Sequence, residues 1–176
     1  EREMFPFVSK PSIDLKGEDT IVSRAMIYVR NVDYLVTPDM NVYNLIIEQL
    51  EKNTEITAIL VDEAQFLTPK QVEELYLMTK AYDVPVLCYG LRCDFQMKGF
   101  PGSTRLLEIA DDIKELKTIC KCGQKATQNL RTLNGLAIFE GNQILIDGES
   151  DIQYEGVCGK CYIKYKKRWK KWKKGI

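Results

Sequence analysis

The stretch Ile59-Leu60-Val61-Asp62-Glu63-Ala64-Gln65-Phe66-Leu67 decides how this 176-residue chain is read. An apolar run with strand character ends abruptly in two adjacent carboxylates, Asp62 and Glu63. A strand in a parallel sheet covered on both faces reads as a continuous apolar run, not an alternating one. Open α/β sheets bind ligands beyond the carboxyl ends of their strands, which places the pair at the mouth of a site on a rigid support. An Asp there can hold the magnesium of a nucleotide, and a neighbouring Glu can take a proton from an attacking hydroxyl or water. The same residues also suit a strand leading into an acidic helix N-terminus, where carboxylates favour the macrodipole. The stretch alone leaves both readings open.

The flanking sequence supplies the rest of an α/β pattern. Phe5–Ser9 reads as a short strand leading into Lys10-Pro11-Ser12-Ile13-Asp14, with a second short strand around Thr20–Ser23. Pro38-Asp39-Met40-Asn41 opens a helix whose apolar positions Val42, Leu45, Ile46 and Leu50 recur at helical spacing. Thr68-Pro69 gives a cap and a proline at the first helical position, and Val72, Leu75, Tyr76 and Met78 continue that helix. Val84–Tyr89 is a further apolar strand ending at Gly90-Leu91-Arg92, and Ser103–Ala110 reads as a helix. Strands alternating with helices predict a parallel sheet. After Lys117 the pattern changes to short strands and glycine turns at Gly135, Gly141 and Gly148, so a domain boundary is expected near residue 117.

The net charge of zero conceals an asymmetry. Residues 162–176 carry eight basic residues and no acids, which leaves 17 basic and 25 acidic groups, net −8, in the remainder. No apolar run approaches the length of a membrane span and no signal pattern opens the chain, so a cytoplasmic protein without a membrane partner is expected. The sequence begins at Glu1 and not at a methionine, so further residues upstream are expected.

Four of the six cysteines form two close pairs, Cys120-Lys121-Cys122 and Cys158-Gly159-Lys160-Cys161, with 35 residues between them. Two such pairs supply a tetrahedral thiolate set with no open coordination position, so a structural zinc is expected. Lys121, Lys125 and Lys160 lie where they would help keep the thiolates ionised. Cys88 and Cys93, in or near an apolar strand, read as buried small hydrophobes.

Several blocks now carry a resemblance. Asp62-Glu63-Ala64-Gln65-Phe66, Tyr89-Gly90-Leu91-Arg92-Cys93-Asp94-Phe95, Leu116–Gly123, Glu140–Ile146 and Tyr154–Cys158 resemble, in order and spacing, the zinc-containing type II thymidine kinases. The resemblance runs from about Val8 to Tyr162. It implies a RecA-like, P-loop-type parallel sheet with a small zinc-ribbon-like domain, whose "lasso" loop closes over thymidine. The implied divisions are a nucleotide-binding α/β domain at 1–117, a zinc and lasso domain at 118–162, and a basic tail at 163–176. The implied reaction is transfer of the ATP γ-phosphate to the 5′-hydroxyl of thymidine with magnesium, by a homo-oligomer that is tetrameric in the family.

In that comparison Asp62 orients magnesium through water and Glu63 is the general base, with Ala64 and Gln65 beside the nucleotide. Phosphoryl transfer depends mainly on positioning and charge stabilisation, which suits such a base. Phe66, Leu91, Phe95 and Phe100 match apolar walls of the thymine site. Asn129, Gln143, Ile144, Leu145, Ile146, Asp147 and Tyr154 fall on lasso positions that hold the base largely through backbone groups. Arg131 matches an arginine near the lasso base, a position where a surface salt bridge is the plain alternative. Asp14 matches the Asp of an Asp-x-Arg motif, but Lys16 stands where the arginine would be, and a lysine lacks the planar bidentate fork.

A P-loop kinase also needs a G-x-x-x-x-G-K-[ST] segment to cradle the phosphates. None of the glycines here has that setting. In the family the segment precedes the strand matching Phe7–Ser9, so the first strand and P-loop are expected upstream of Glu1, and the chain as written is not expected to phosphorylate efficiently alone.

Two other readings compete with this one. Asp-Glu-Ala-Gln also resembles a helicase motif, but the chain has no Ser-Ala-Thr segment and no room for a second RecA-like domain. A non-enzymatic zinc-ribbon module could use the tail, where Tyr165, Trp169 and Trp172 interleave with lysines, on nucleic acid or on an anionic membrane. A terminal helix packed on a neighbouring subunit or on the chain's own acidic body is the preferred reading, and nucleic acid is not the expected partner.

Overall fold

The structure is a computed structural model that describes residues 5–14, 19–22, 29–53, 55–143 and 152–175. These fall into two compact units, one of residues 1–92 and 100–112, the other of residues 93–99 and 113–176.

The first unit is built on a four-stranded sheet of β1 (Pro6–Pro11), β4 (Tyr34–Val36), β5 (Ala58–Val61) and β6 (Val86–Cys88), in the order β4-β1-β5-β6. Every neighbouring pair is parallel. The expected α/β class with a parallel sheet is therefore borne out. β5 lies between β1 and β6, and Ala58, Ile59 and Val61 are at most 1% exposed, which is why this strand reads as an unbroken apolar run.

Helix α1 (Val42–Lys52) starts where the Asn41 side chain accepts the Asn44 N–H, and α2 (Pro69–Ala81) starts with a reciprocal capping box between Thr68 and Gln71. Phe7, Val36, Ile46, Ile59, Val61, Leu75 and Met78 share one core with these helices. Buried Glu74 accepts the Val42 N–H at 2.7 Å, so α2 also ties down the start of α1.

Three details differ from the sequence reading. Tyr34–Val36 forms the outer strand β4, which its three-residue length hid. The strand expected near Thr20–Ser23 is β2 (Thr20–Val22), and among the described residues it pairs with β3 (Val29–Asn31) in a separate two-stranded ribbon. Helix α3 (Pro101–Ile109) begins two residues earlier than expected, because Pro101 occupies its first turn.

The second unit holds the hairpin β7 (Thr118–Ile119) and β8 (Lys125–Ala126), and the antiparallel sheet β10-β9-β11 of β9 (Gln128–Leu133), β10 (Leu136–Ile138) and β11 (Ile152–Val157). It ends in α4 (Gly159–Lys173), whose N-cap is Cys158. Its small core comprises Cys120, Leu130, Phe139, Val157, Cys158 and Tyr162. The Tyr162 hydroxyl donates to the Phe95 carbonyl at 2.7 Å, which satisfies its polar end inside that core. Among the described residues no helix is long and apolar enough to cross a membrane.

Candidate functional site at the strand ends, and a four-cysteine centre

Three neighbouring parallel strands deliver their following residues to one edge of the sheet. Asp14 follows β1, Asp62 and Glu63 follow β5, and Leu91 follows β6. This is the edge at which open α/β sheets place ligands.

The β5 turn is held tightly. The Asp62 N–H donates to Ser9 O at 3.0 Å, and the Ala64 N–H donates to Tyr89 O at 2.8 Å. Between them Glu63 adopts a left-handed conformation, φ 49 and ψ 34, unusual for a residue with a side chain and costing about 1–3 kcal/mol. A short 3₁₀ turn, Ala64–Phe66, follows. This is a correction to the idea of a helix starting directly at the carboxylates: the long helix begins seven residues after Asp62, at Pro69.

Gln65 fixes the Glu63 carboxylate. It is 1% exposed, its Nε2 donates to Glu63 Oε2, and its Oε1 accepts the Leu91 N–H at 3.0 Å. One buried amide thus links the ends of β5 and β6. Glycine is needed beside it, since a Cβ on Gly90 would lie 2.6 Å from Gln65 Oε1. Gly102 plays the matching part in α3, where a Cβ would lie 2.5 Å from Leu67 O. Phe66 and Phe100 meet edge to face with centroids 5.6 Å apart, while Leu91 stays exposed.

Asp14 has a partner that the sequence reading passed over. Lys10, 1% exposed, reaches Asp14 Oδ2 at 3.1 Å and Thr20 O at 3.2 Å. A lysine directly after a largely apolar stretch and four residues before an aspartate is the available signal. Lys16 lies outside the described residues.

In the second unit Arg131 organises several of the expected site residues. It is 1% exposed, so the surface salt bridge is corrected to a buried cation. Its Nε donates to the Tyr154 hydroxyl at 2.8 Å, and its two terminal nitrogens donate to Asn142 O and Gln143 O at 2.9 Å. Its guanidinium carbon lies 3.6 Å from the Phe95 ring centroid. The cause is register, since Arg131 stands opposite Tyr154 on β9 and β11. Asn129 Nδ2 donates to Cys93 O at 2.8 Å. Phe95, Gln143 and Tyr154 therefore meet at Arg131, whereas Ile144, Leu145, Ile146 and Asp147 lie outside the described residues.

The sulfurs of Cys120, Cys122, Cys158 and Cys161 all lie within 4.8 Å of one another, and those of Cys122 and Cys158 are 3.6 Å apart. A tetrahedral ion with metal–sulfur bonds of about 2.3 Å sets its ligand sulfurs about 3.8 Å apart. The set could hold a metal ion and fits a structural zinc. The Cys122 backbone N–H, then that of Cys158, pulls the Cys120 thiol down to about 7, and the Cys161 N–H lowers Cys158. Cys161 is pushed up to about 12 by its contacts with the Cys122, Cys158 and Cys120 sulfurs. Backbone N–H groups do this work, and two of the lysines expected to help are engaged elsewhere. Lys121 is held by Glu155 at 2.7 Å and Lys125 pairs with Glu115.

A family model described as "Thymidine kinase" matches residues 1–162. The thymidine kinase of Coxiella burnetii is 44% identical over 162 residues, covering 91% of this chain and 81% of that protein. That of Enterobacteria phage T4 is 41% identical over 162 residues, with the same 91% and 81% coverage. That of Chromobacterium violaceum is 48% identical over 109 residues, 61% of this chain and 58% of that protein, so the match spans less than two thirds of it. These matches make the chain a kinase of the α/β class. It belongs to the thymidine kinase family.

Proposed function

We propose that this protein transfers the γ-phosphate of ATP to the 5′-hydroxyl of thymidine, and that Glu63 is the base that receives the hydroxyl proton. The observation that carries this reading is the β5 turn, where a strained Glu63 is gripped by buried Gln65 beside Asp62. Positioning is the main contribution a protein makes to phosphoryl transfer. The left-handed turn and the Gln65 amide reduce the freedom of the carboxylate before substrate arrives. Asp62 offers a hard oxygen ligand at the strand end, suited to magnesium bound with ATP, which would offset phosphate charge there.

In this reading Ala64 and Gln65 border the nucleotide, and Asp14, held by Lys10, faces substrate. Of the first unit, Phe66, Leu91 and Phe100 contribute apolar contacts to the base, Leu91 being the most exposed. Of the second, Asn129, Gln143–Asp147 and Tyr154 act as the lasso, with Phe95 as the buried support beneath Arg131. The four cysteines hold zinc as a structural ion. The proposed divisions are a nucleotide domain at 1–117, a zinc and lasso domain at 118–162 and a basic tail at 163–176, in a cytoplasmic homo-oligomer, tetrameric by family resemblance.

The test is product analysis with the full-length protein, ATP, magnesium and a panel of nucleosides. Thymidine monophosphate formed in step with ADP is the expected result. ATP hydrolysis without nucleoside phosphorylation, or phosphorylation of ribonucleosides in preference, would contradict it.

A further inference from the structure

Helix α4 and the residue after it carry nine basic side chains and no acidic one between Gly159 and Lys174. Their distribution around the helix is uneven. Tyr162 is buried, and Trp169 packs on Phe139 with centroids 5.7 Å apart, so these two define the face turned to the core. Lys166 and Lys173 flank that face, with Lys166 over the Phe139 ring and Lys173 paired with Glu140. Opposite it, Lys160, Lys164, Lys167, Arg168, Lys171 and Lys174 recur at spacings of three and four and are all exposed. Residues so spaced share one helical face.

This ridge has no carboxylate partner among the described residues, whereas Lys121, Lys125 and Lys173 of the same unit each have one. Along one edge of the ridge stand Tyr165 and Trp172, seven residues apart and 37% and 72% exposed. Two helical turns separate them by about 10.5 Å.

We propose that this ridge is a binding surface for single-stranded nucleic acid, with the lysines and Arg168 on the phosphates and Tyr165 and Trp172 stacking on bases. A positively charged track with aromatic platforms beside it is the arrangement that binds single strands without sequence preference. An anionic membrane fits less well. An interfacial helix needs a contiguous apolar face to insert, and here that face is spent on Phe139. The exposed Ile163 and Trp172 lie on opposite sides of the ridge. The surface lies outside the residues proposed for thymidine phosphorylation and does not depend on that reading.

The test is fluorescence anisotropy of labelled oligo(dT), about twenty nucleotides long, with the full chain across about 50–200 mM salt. Four to six phosphate contacts give a slope of log affinity on log salt of about −3 to −4. Lys164→Glu with Lys171→Glu should lower that slope by about 2. Lys52→Glu with Lys70→Glu, an equal change in net charge on the first unit, should leave it unaltered. Trp172→Ala should weaken oligo(dT) binding roughly ten-fold and remove the quenching of tryptophan fluorescence on binding. Circular dichroism of each variant checks that α4 stays folded. Absence of salt-dependent binding, equal loss in both double variants, or binding to phosphatidylserine vesicles without binding to oligo(dT) would overturn the proposal.

Discussion

The guanidinium of Arg131 lies over the ring of Phe95, 3.6 Å from its centroid, while its nitrogens reach Tyr154, Asn142 and Gln143. A buried cation is tolerable when its donors are satisfied and an aromatic face covers it. Here one side chain joins the segment at Phe95, the strand β11 and the residues that precede 144–151. Arg131→Lys keeps the charge but loses the fork, so it should lower unfolding free energy by about 2–4 kcal/mol. Urea denaturation measures that loss, and steady-state kinetics should show the thymidine KM raised more than kcat is lowered. A variant with wild-type stability and KM would show that Arg131 organises nothing.

The four sulfurs gather residues far apart in sequence, so a metal held by them would contribute to folding of the second unit. Removing the ion with a strong chelator, or Cys158→Ser, should reduce the protease resistance of residues 113–176 and leave the parallel-sheet unit comparatively intact. Thiolates bind metal only when deprotonated, so metal content should fall as pH is lowered. Unchanged proteolysis after complete metal removal would count against a structural ion.

Gly90 and Gly102 lie where backbone and the Gln65 side chain approach too closely for any Cβ. Gly90→Ala should displace Gln65 and loosen Glu63, lowering kcat with a stability loss of about 1–3 kcal/mol. Gly102→Ala presses instead on the backbone carbonyls of Leu67, Ala64 and Gln65, and its loss should appear mainly in thermal stability. If Gly90→Ala left both kcat and stability alone, the close approach would carry no weight.

Cys88 at the end of β6 is half-buried against the main core, as Cys93 is half-buried in its own unit, so neither is the fully buried small hydrophobe expected. Desolvation pushes the Cys88 thiol up to about 12. Its folded value is raised, so the stability linked to its neutral form is present below the unfolded value near 9 and is lost as pH rises toward 12. At pH near 8 the native thiol should alkylate orders of magnitude more slowly than in urea, because the thiolate is the nucleophile. Mass spectrometry after timed iodoacetamide exposure reads this directly, and equal rates in both states would refute the burial.

Much of this was legible in the sequence because the signals are local. The Val61-Asp62 junction, the Thr68-Pro69 cap and the paired cysteines each declare themselves within a few residues. What stayed hidden depends on partners distant in sequence. Tyr34–Val36 is too short to read as a strand until β1 pairs with it. Lys10 and Arg131 look like ordinary surface cations until Asp14 and Phe95 are brought to them. Even at Asp62 and Glu63 the sequence could not distinguish a helix start from the strained turn that Gln65 holds.

That turn is tested most directly by Glu63→Gln in the full-length protein, with kcat measured alongside thymidine affinity. The amide keeps the size and hydrogen-bonding reach of the side chain but cannot accept the hydroxyl proton. Expected is a fall in kcat of about 10²–10⁴-fold, with thymidine affinity essentially unchanged. An unchanged kcat, or a loss confined to thymidine affinity, would contradict the assignment of Glu63 as the base.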